Sequence, residues 1–232
     1  MKCSLTMLPG TSNKKYFLFR IIFIFFLVMI ANNVFAHVVV TDLEEMSATD
    51  SAALYLKLGY KHILPLGLDH ILFVLSLFLL SPKLKPVLWQ SLTFTVAHSV
   101  TLGLAMYKVI NVPANIVEPL IALSIMFVAL ENVFSQKLKP SRLIVVFIFG
   151  LVHGMGFASA LSSLGLPANS YFTSLIMFNV GVELGQLTVI LAAFFLFGKW
   201  FGKKPWYHRY IVTPLSLVIA AIALYWVIER IV

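Results

Sequence analysis

Six apolar runs, at about 63–81, 87–107, 115–134, 143–163, 171–198 and 210–231, occupy the chain from residue 63 onward. Each is close to or beyond the roughly 20 residues that cross a hydrocarbon layer as a helix, and none alternates like a barrel strand. In lipid a backbone must satisfy its own amides, so such runs fold only as helices. The expected fold class is all-α: a polytopic membrane helix bundle of six transmembrane helices. Composition agrees, since 60% of the 232 residues are hydrophobic and 11% charged, against roughly 45–50% and about 25% in soluble domains. A water-soluble globule is excluded. Pro82, Pro86, Pro113, Pro140, Pro167 and Pro205 fall in the connections, where helices should stop.

Ahead of these runs, Lys14, Lys15 and Arg20 precede an apolar stretch over 21–30, and Val34-Phe35-Ala36 offers modest side chains at a cleavage site. Residues 1–36 read as a secretory signal peptide cleaved after Ala36; the alternative is an uncleaved first helix. Cleavage would leave His37 N-terminal, where its α-amino group and imidazole together could chelate a divalent ion; the plainer reading is an exposed histidine without a role. Residues 37–61, with Asp42, Glu44, Glu45 and Asp50, form a short exported segment, too short to fold alone. Residues 62–232 form the six-helix transmembrane domain. Cys3 is the single cysteine and lies in the removed segment, so disulfides and thiolate metal sites are excluded.

The net charge of +8 does not point to nucleic acid, because the cations cluster between apolar runs. Lys83 and Lys85, then Lys137, Lys139 and Arg142, then Lys199, Lys203, Lys204 and Arg209 share one side, which the positive-inside rule makes cytoplasmic. Both mature termini then face outward, and the expected location is the cell's inner membrane. The partners implied are the lipid bilayer and a metal ion, with a homo-oligomer as an alternative to a monomer.

Ionisable side chains inside spans are the informative ones, since each costs at least about 2.5 kcal/mol unless paired or hydrated. The first span carries Asp69 and His70 with His62 at its outer end, the second His98, the third Glu131 and Asn132, the fourth His153, and the fifth Asn179, Glu183 and Gln186. At 1.5 Å per residue, Asp69 and His70 lie in the outer half, His98, His153 and Glu183 near the midplane, and Glu131 toward the cytoplasm. His62 and Asp69 share a helical face; Asn179, Glu183 and Gln186 make one polar stripe, and Thr95, His98 and Ser99 another. Gly150-xxx-Gly154 and Gly181-xxx-Gly185 are small-xxx-small patterns, expected to press the fourth and fifth helices together and so bring His153 beside Glu183. Imidazole with carboxylate and no thiolate suits Ni²⁺, Co²⁺, Zn²⁺ or Cu²⁺ better than Cu⁺ or Mg²⁺. Met46, Met106, Met126, Met155 and Met177 are dispersed, which disfavours a Cu⁺ relay.

The strings GYKHILPLGLDHILF (59–73), FTVAHSVTL (94–102), ALEN (129–132), FGLVHGMGFA (149–158) and FNVGVELGQL (178–187) resemble the HupE/UreJ family of membrane proteins, in particular its second branch. That family is associated with nickel, and with cobalt, uptake beside hydrogenases and ureases, so the resemblance implies a divalent-metal permease. Position by position, its histidine–aspartate–histidine motif falls on His62, Asp69 and His70 and its histidine-glycine motif on His153 and Gly154. Six residues separate His62 from Asp69 where the better-known branch has five, which turns His62 by about 100° on a straight helix. The expected metal ligands are therefore Asp69, His70, His98, His153, Glu183 and Glu131, with His62 and His37 as secondary candidates and Thr95, Ser99, Asn132, Asn179 and Gln186 in support. No permanent cofactor is expected; the ion is cargo, Ni²⁺ or Co²⁺ ahead of Zn²⁺ or Cu²⁺. The sequence has no ATP-binding GxxxxGK[ST]. An intramembrane metallohydrolase is an alternative, although HExxH and a serine elbow are missing and only Ser99 beside His98 offers a nucleophile. A b-type haem on His98 and His153 is a third reading.

Overall fold

The computed structural model describes residues 46–164 and 170–232. The expected signal peptide, His37 and the acids Asp42, Glu44 and Glu45 lie outside the described residues. Among those described, every regular element is helical. In chain order they are α1 (Ala48–Ile63), α2 (Leu68–Leu80), α3 (Leu84–Met106), α4 (Ala114–Phe134), α5 (Arg142–Leu164), α6 (Tyr171–Ala193) and α7 (Thr213–Ile231). Helix α6 runs on through a π turn, Phe194–Gly198, to Phe201, and a second π turn, His208–Val212, leads into α7.

Three helices are long and apolar enough to cross a membrane: Ala114–Phe134, Tyr171–Phe201 and His208–Ile231. The pair α1 and α2 passes the same test together, bent by 68° at the break between them. Helix α3 is more polar, carrying Gln90, Ser91, Thr93, Thr95, His98, Ser99 and Thr101, and the apolar part of α5, Arg142–Ala158, is shorter. Whole helix faces are apolar and uncovered. On α3, Leu92, Val96, Val100 and Leu104 recur every four residues, and on α6 so do Phe172, Ile176, Val180 and Leu184, all exposed. Stripes of this size need lipid to cover them, and the protein is a membrane protein.

The start of the bundle differs from the sequence expectation. Residues 48–61, expected as exported tail, are helical and packed. Ser47 caps α1 by accepting a hydrogen bond from the Asp50 N–H at 3.1 Å, and Ser51, Tyr55, Gly59 and Ile63, four residues apart, form its buried stripe. The first apolar run, expected as one helix over 63–81, is helical only over Leu68–Leu80, after the last residue of α1 and a break. Pro65 and Gly67 lie in the break over 64–67, so His62 ends α1 while Asp69 and His70 open α2.

Packing is chiefly pairwise: α1 on α6, α3 on α5 and α4 on α7, with α2 touching α4 and α6. The glycine patterns set two of these pairs, but not with each other. A Cβ on Gly181 would meet Leu56 O and one on Gly185 would meet Ile63, so both serve the α1–α6 pair; Gly150 and Gly154 lie against Phe94 O and His98 O of α3. Because the fourth and fifth spans each turn their small residues to another helix, Glu183 meets hydroxyls of α3 in place of His153. The common core, including Phe73, Leu77, Phe94, Ile121, Ile125 and Val146, lies under α2, α3, α4 and α5.

Candidate metal centre

Four histidines converge from four helices. His62 comes from the last turn of α1, His70 from the first turn of α2, His98 from the middle of α3 and His153 from the middle of α5. The bend between α1 and α2 folds His62 back over His70, so that their rings are 4.7 Å apart. One ring nitrogen from each of His62, His70 and His98 lies within 4.8 Å of the other two, and the His153 ring is 5.0 Å from that of His70. His70, His98 and His153 are buried. Phe157 lies 3.9 Å from the His62 ring, and Phe73 and Phe94 lie about the rings of His70 and His153.

Hydrogen bonds on the far side of two rings fix which nitrogen each presents. Asn179 Nδ2 donates to Leu175 O at 2.8 Å, which orients its Oδ1 as acceptor toward His98 Nδ1 at 3.4 Å. His98 must then carry its proton on Nδ1, leaving Nε2 as a bare lone pair. Similarly, Ser124 Oγ donates to Ile121 O at 2.7 Å and therefore accepts from His153 Nε2 at 2.9 Å, leaving Nδ1 of His153 bare. His98 Nε2 and His153 Nδ1 are buried without a hydrogen-bond partner among the described residues, as are His62 Nε2 and both nitrogens of His70. Buried polar atoms are normally paired. Oriented imidazoles with bare buried nitrogens are what a metal site requires, and outer partners that fix the tautomer are its usual support.

A cavity of about 250 Å³ reaches this cluster; His62, His70 and His153 line it, with Asp69, Glu118 and Arg230. Asp69 is held by Arg230, Oδ2 to Nη2, at 3.1 Å. Arg230 also donates to Glu118 O at 3.0 Å and lies over Trp226. The cavity thus carries two carboxylates and one guanidinium beside the imidazoles.

The family described as HupE / UreJ protein matches residues 36–230. The chain belongs to the HupE/UreJ family. No curated protein and no solved structure matches it.

In this HupE/UreJ protein the other acids expected as ligands stand apart from the four rings. Glu131 pairs with Arg142 at 2.9 Å, and Arg142, almost fully buried, also donates to Gln90 Oε1, Asn132 Oδ1 and Ser76 O. Glu183 accepts from Thr95 Oγ1 at 2.5 Å and faces Ser91 Oγ at 3.4 Å. Asn132 also bonds Ser76 O, and Gln186 bonds Ser91 and Thr95. Ser99 donates to Thr95 O at 2.6 Å, so its hydroxyl is used within its own helix. Sequence reasoning missed Ser124, Ser91, Arg142 and Arg230. Ser124 had a signal, being seven residues before Glu131 and so on the same face of α4; Arg230 had none in its local sequence.

Proposed function

We propose that this HupE/UreJ protein is a permease or facilitator for a divalent transition-metal ion, Ni²⁺ or Co²⁺ ahead of Zn²⁺ and Cu²⁺, and not an enzyme. The observation that carries the reading is the convergence of His62, His70 and His98, one ring nitrogen from each within 4.8 Å of the others, with bare buried nitrogens on His98 (Nε2) and on the neighbouring His153 (Nδ1), each fixed by a hydrogen bond at the ring's other nitrogen. His62, His70 and His98 make an all-imidazole set, with the His153 ring 5.0 Å from that of His70, and imidazole suits borderline ions of this kind. Asp69 and Glu118 at the cavity would draw the cation in, and Arg230, paired with Asp69, must yield as it passes.

Bilayer placement follows the charge pattern. The bent α1–α2 unit serves as one span and α3 to α7 as five more, α3 being 23 residues and thus about 34 Å long. The basic connections face the cytoplasm, the cavity with Asp69 faces outward, and residues 1–36 act as a signal peptide into the inner membrane. A metallohydrolase gains no support from Ser99, because its hydroxyl is used on Thr95 O.

The test is calorimetric titration of detergent-purified protein with Ni²⁺, Co²⁺, Zn²⁺ and Cu²⁺, comparing wild type with His98→Ala and His153→Ala. Saturable binding in wild type and its loss in both variants is expected, with the tightest ion naming the cargo. Absence of binding for all four ions at neutral pH would overturn the proposal.

A further inference from the structure

Helices α3 and α6 face each other through matching polar stripes. Ser91, Thr95 and His98 of α3 stand opposite Gln186, Glu183 and Asn179 of α6, forming three rungs. Two of these rungs join into a ring. Ser91 Oγ is 2.8 Å from Gln186 Oε1, Gln186 Nε2 is 3.1 Å from Thr95 Oγ1, Thr95 Oγ1 is 2.5 Å from Glu183 Oε2, and Glu183 Oε1 is 3.4 Å from Ser91 Oγ.

A closed ring of four groups uses four hydrogens, one per link. Ser91, Thr95 and the Gln186 amide supply one each. Closing the link between Glu183 Oε1 and Ser91 Oγ takes a fourth, on the Glu183 carboxyl. Exchanging the Gln186 amide oxygen and nitrogen reverses the direction of the ring and leaves the count unchanged. If Glu183 were ionised, the Ser91 hydrogen could serve either Gln186 Oε1 or Glu183 Oε1, and one acceptor would face a lone pair. Neither ion pair among the described residues involves Glu183. The titratable group on the facing stripe of α3 is His98, bonded to Asn179; those of the α1–α2 break, His62, Asp69 and His70, line the histidine cavity instead.

We propose that Glu183 is a proton-binding site, neutral when the histidine site is empty, and that it gives up its proton when a divalent ion binds one rung away at His98. This rests on the metal reading above. The balance is simple: one dication enters, one proton leaves the Glu183 carboxyl for bulk water, and the site's net charge rises by one instead of two. In a low-dielectric interior that difference is large. The oxygen-rich ring therefore takes a proton as its ligand, while the nitrogen-rich cluster takes the metal.

Infrared difference spectroscopy on the purified full-length protein tests this. The metal-free wild type should show the C=O stretch of a protonated carboxyl that shifts in D₂O, is missing in Glu183→Gln, and disappears at saturating Ni²⁺. Glu183→Gln supplies the fourth hydrogen through its amide and should melt near the wild type, whereas Glu183→Ala opens the ring and should melt lower. No such band in wild type, a band unchanged in Glu183→Gln, or one persisting at Ni²⁺ saturation overturns the proposal. The two readings separate cleanly. A protein that binds Ni²⁺ without showing the band overturns the Glu183 proposal alone; one that shows the band but binds no ion overturns the histidine site and the exchange together, and keeps the protonated carboxyl.

Discussion

Asn179 and Ser124 touch no ion in the proposed site, yet each decides which nitrogen its histidine offers. Asn179→Leu removes the acceptor for His98 Nδ1–H, and Ser124→Ala the acceptor for His153 Nε2–H. Each ring is then free to turn or to change tautomer. Loss of such outer partners typically lowers metal affinity about 10–100-fold, and that weakening is expected for both variants by calorimetry, with the melting temperature close to wild type. An affinity unchanged in both would mean that packing alone, including Phe94 and Phe157, holds the rings. The two residues were not equally legible. Asn179 announces itself by its i, i+4, i+7 stripe with Glu183 and Gln186, whereas a lone serine in an apolar helix ordinarily bonds back to its own backbone, as Ser124 also does to Ile121 O. Asp69 was legible as an acid within an apolar run, but its partner Arg230 lies 161 positions away, a distance over which no local pattern operates.

Among the elements, helix type and the approximate ends of α3 to α7 were plain in the apolar runs, because the backbone in lipid has no other option. What periodicity could not give was the break over 64–67. An angle of 100° between His62 and Asp69 holds only for a continuous helix, and the 68° bend removes that premise, bringing His62 within ring contact of His70. Small-residue patterns showed that close packing occurs but not which helices it joins. A matched pair of substitutions separates packing glycines from incidental ones. A Cβ on Gly154 would collide with His98 O and Thr101 Oγ1, whereas one on Gly103 meets only Leu175 Cδ2 at 3.5 Å, an ordinary contact. Gly154→Ala should therefore push α5 off α3, destabilise by about 1–3 kcal/mol and weaken metal binding by separating His153 from His98. Gly103→Ala should melt at or slightly above wild type, since alanine is the better helix former. Thermal melts of both variants in one detergent check the contrast, and equal melts would show that α5 can shift without cost.

For the whole molecule, the two ends of the bundle are built differently. At the end bearing Asp69 a cavity reaches the histidines; at the basic end one guanidinium closes the structure. Arg142 of α5 donates to Ser76 O of α2, Gln90 of α3, and Glu131 and Asn132 of α4, so a single side chain ties four helices. His208, before α7, joins the same region through Asn132 O at 2.9 Å. Charge counting along the sequence revealed which end is basic, but it read Arg142 as one more loop cation, because burial at 1% exposure depends on how four separate helices meet. Removing the guanidinium alone leaves Glu131 partly buried without its partner. Arg142→Leu should thus cost about 3 kcal/mol, the low end of the range for broken buried pairs, because the Glu131 side chain keeps 21% exposure. Glu131→Gln alone should cost less, since an amide oxygen still accepts from Arg142. In Arg142→Leu with Glu131→Gln no charge is stranded, so the double variant should melt above Arg142→Leu alone, and the coupling energy from the cycle measures the pair itself. If the double variant melts as low as the sum of the two single losses, the guanidinium stabilises the bundle through Gln90, Asn132 and the Ser76 carbonyl, and the ion pair with Glu131 adds nothing to the closure of that end.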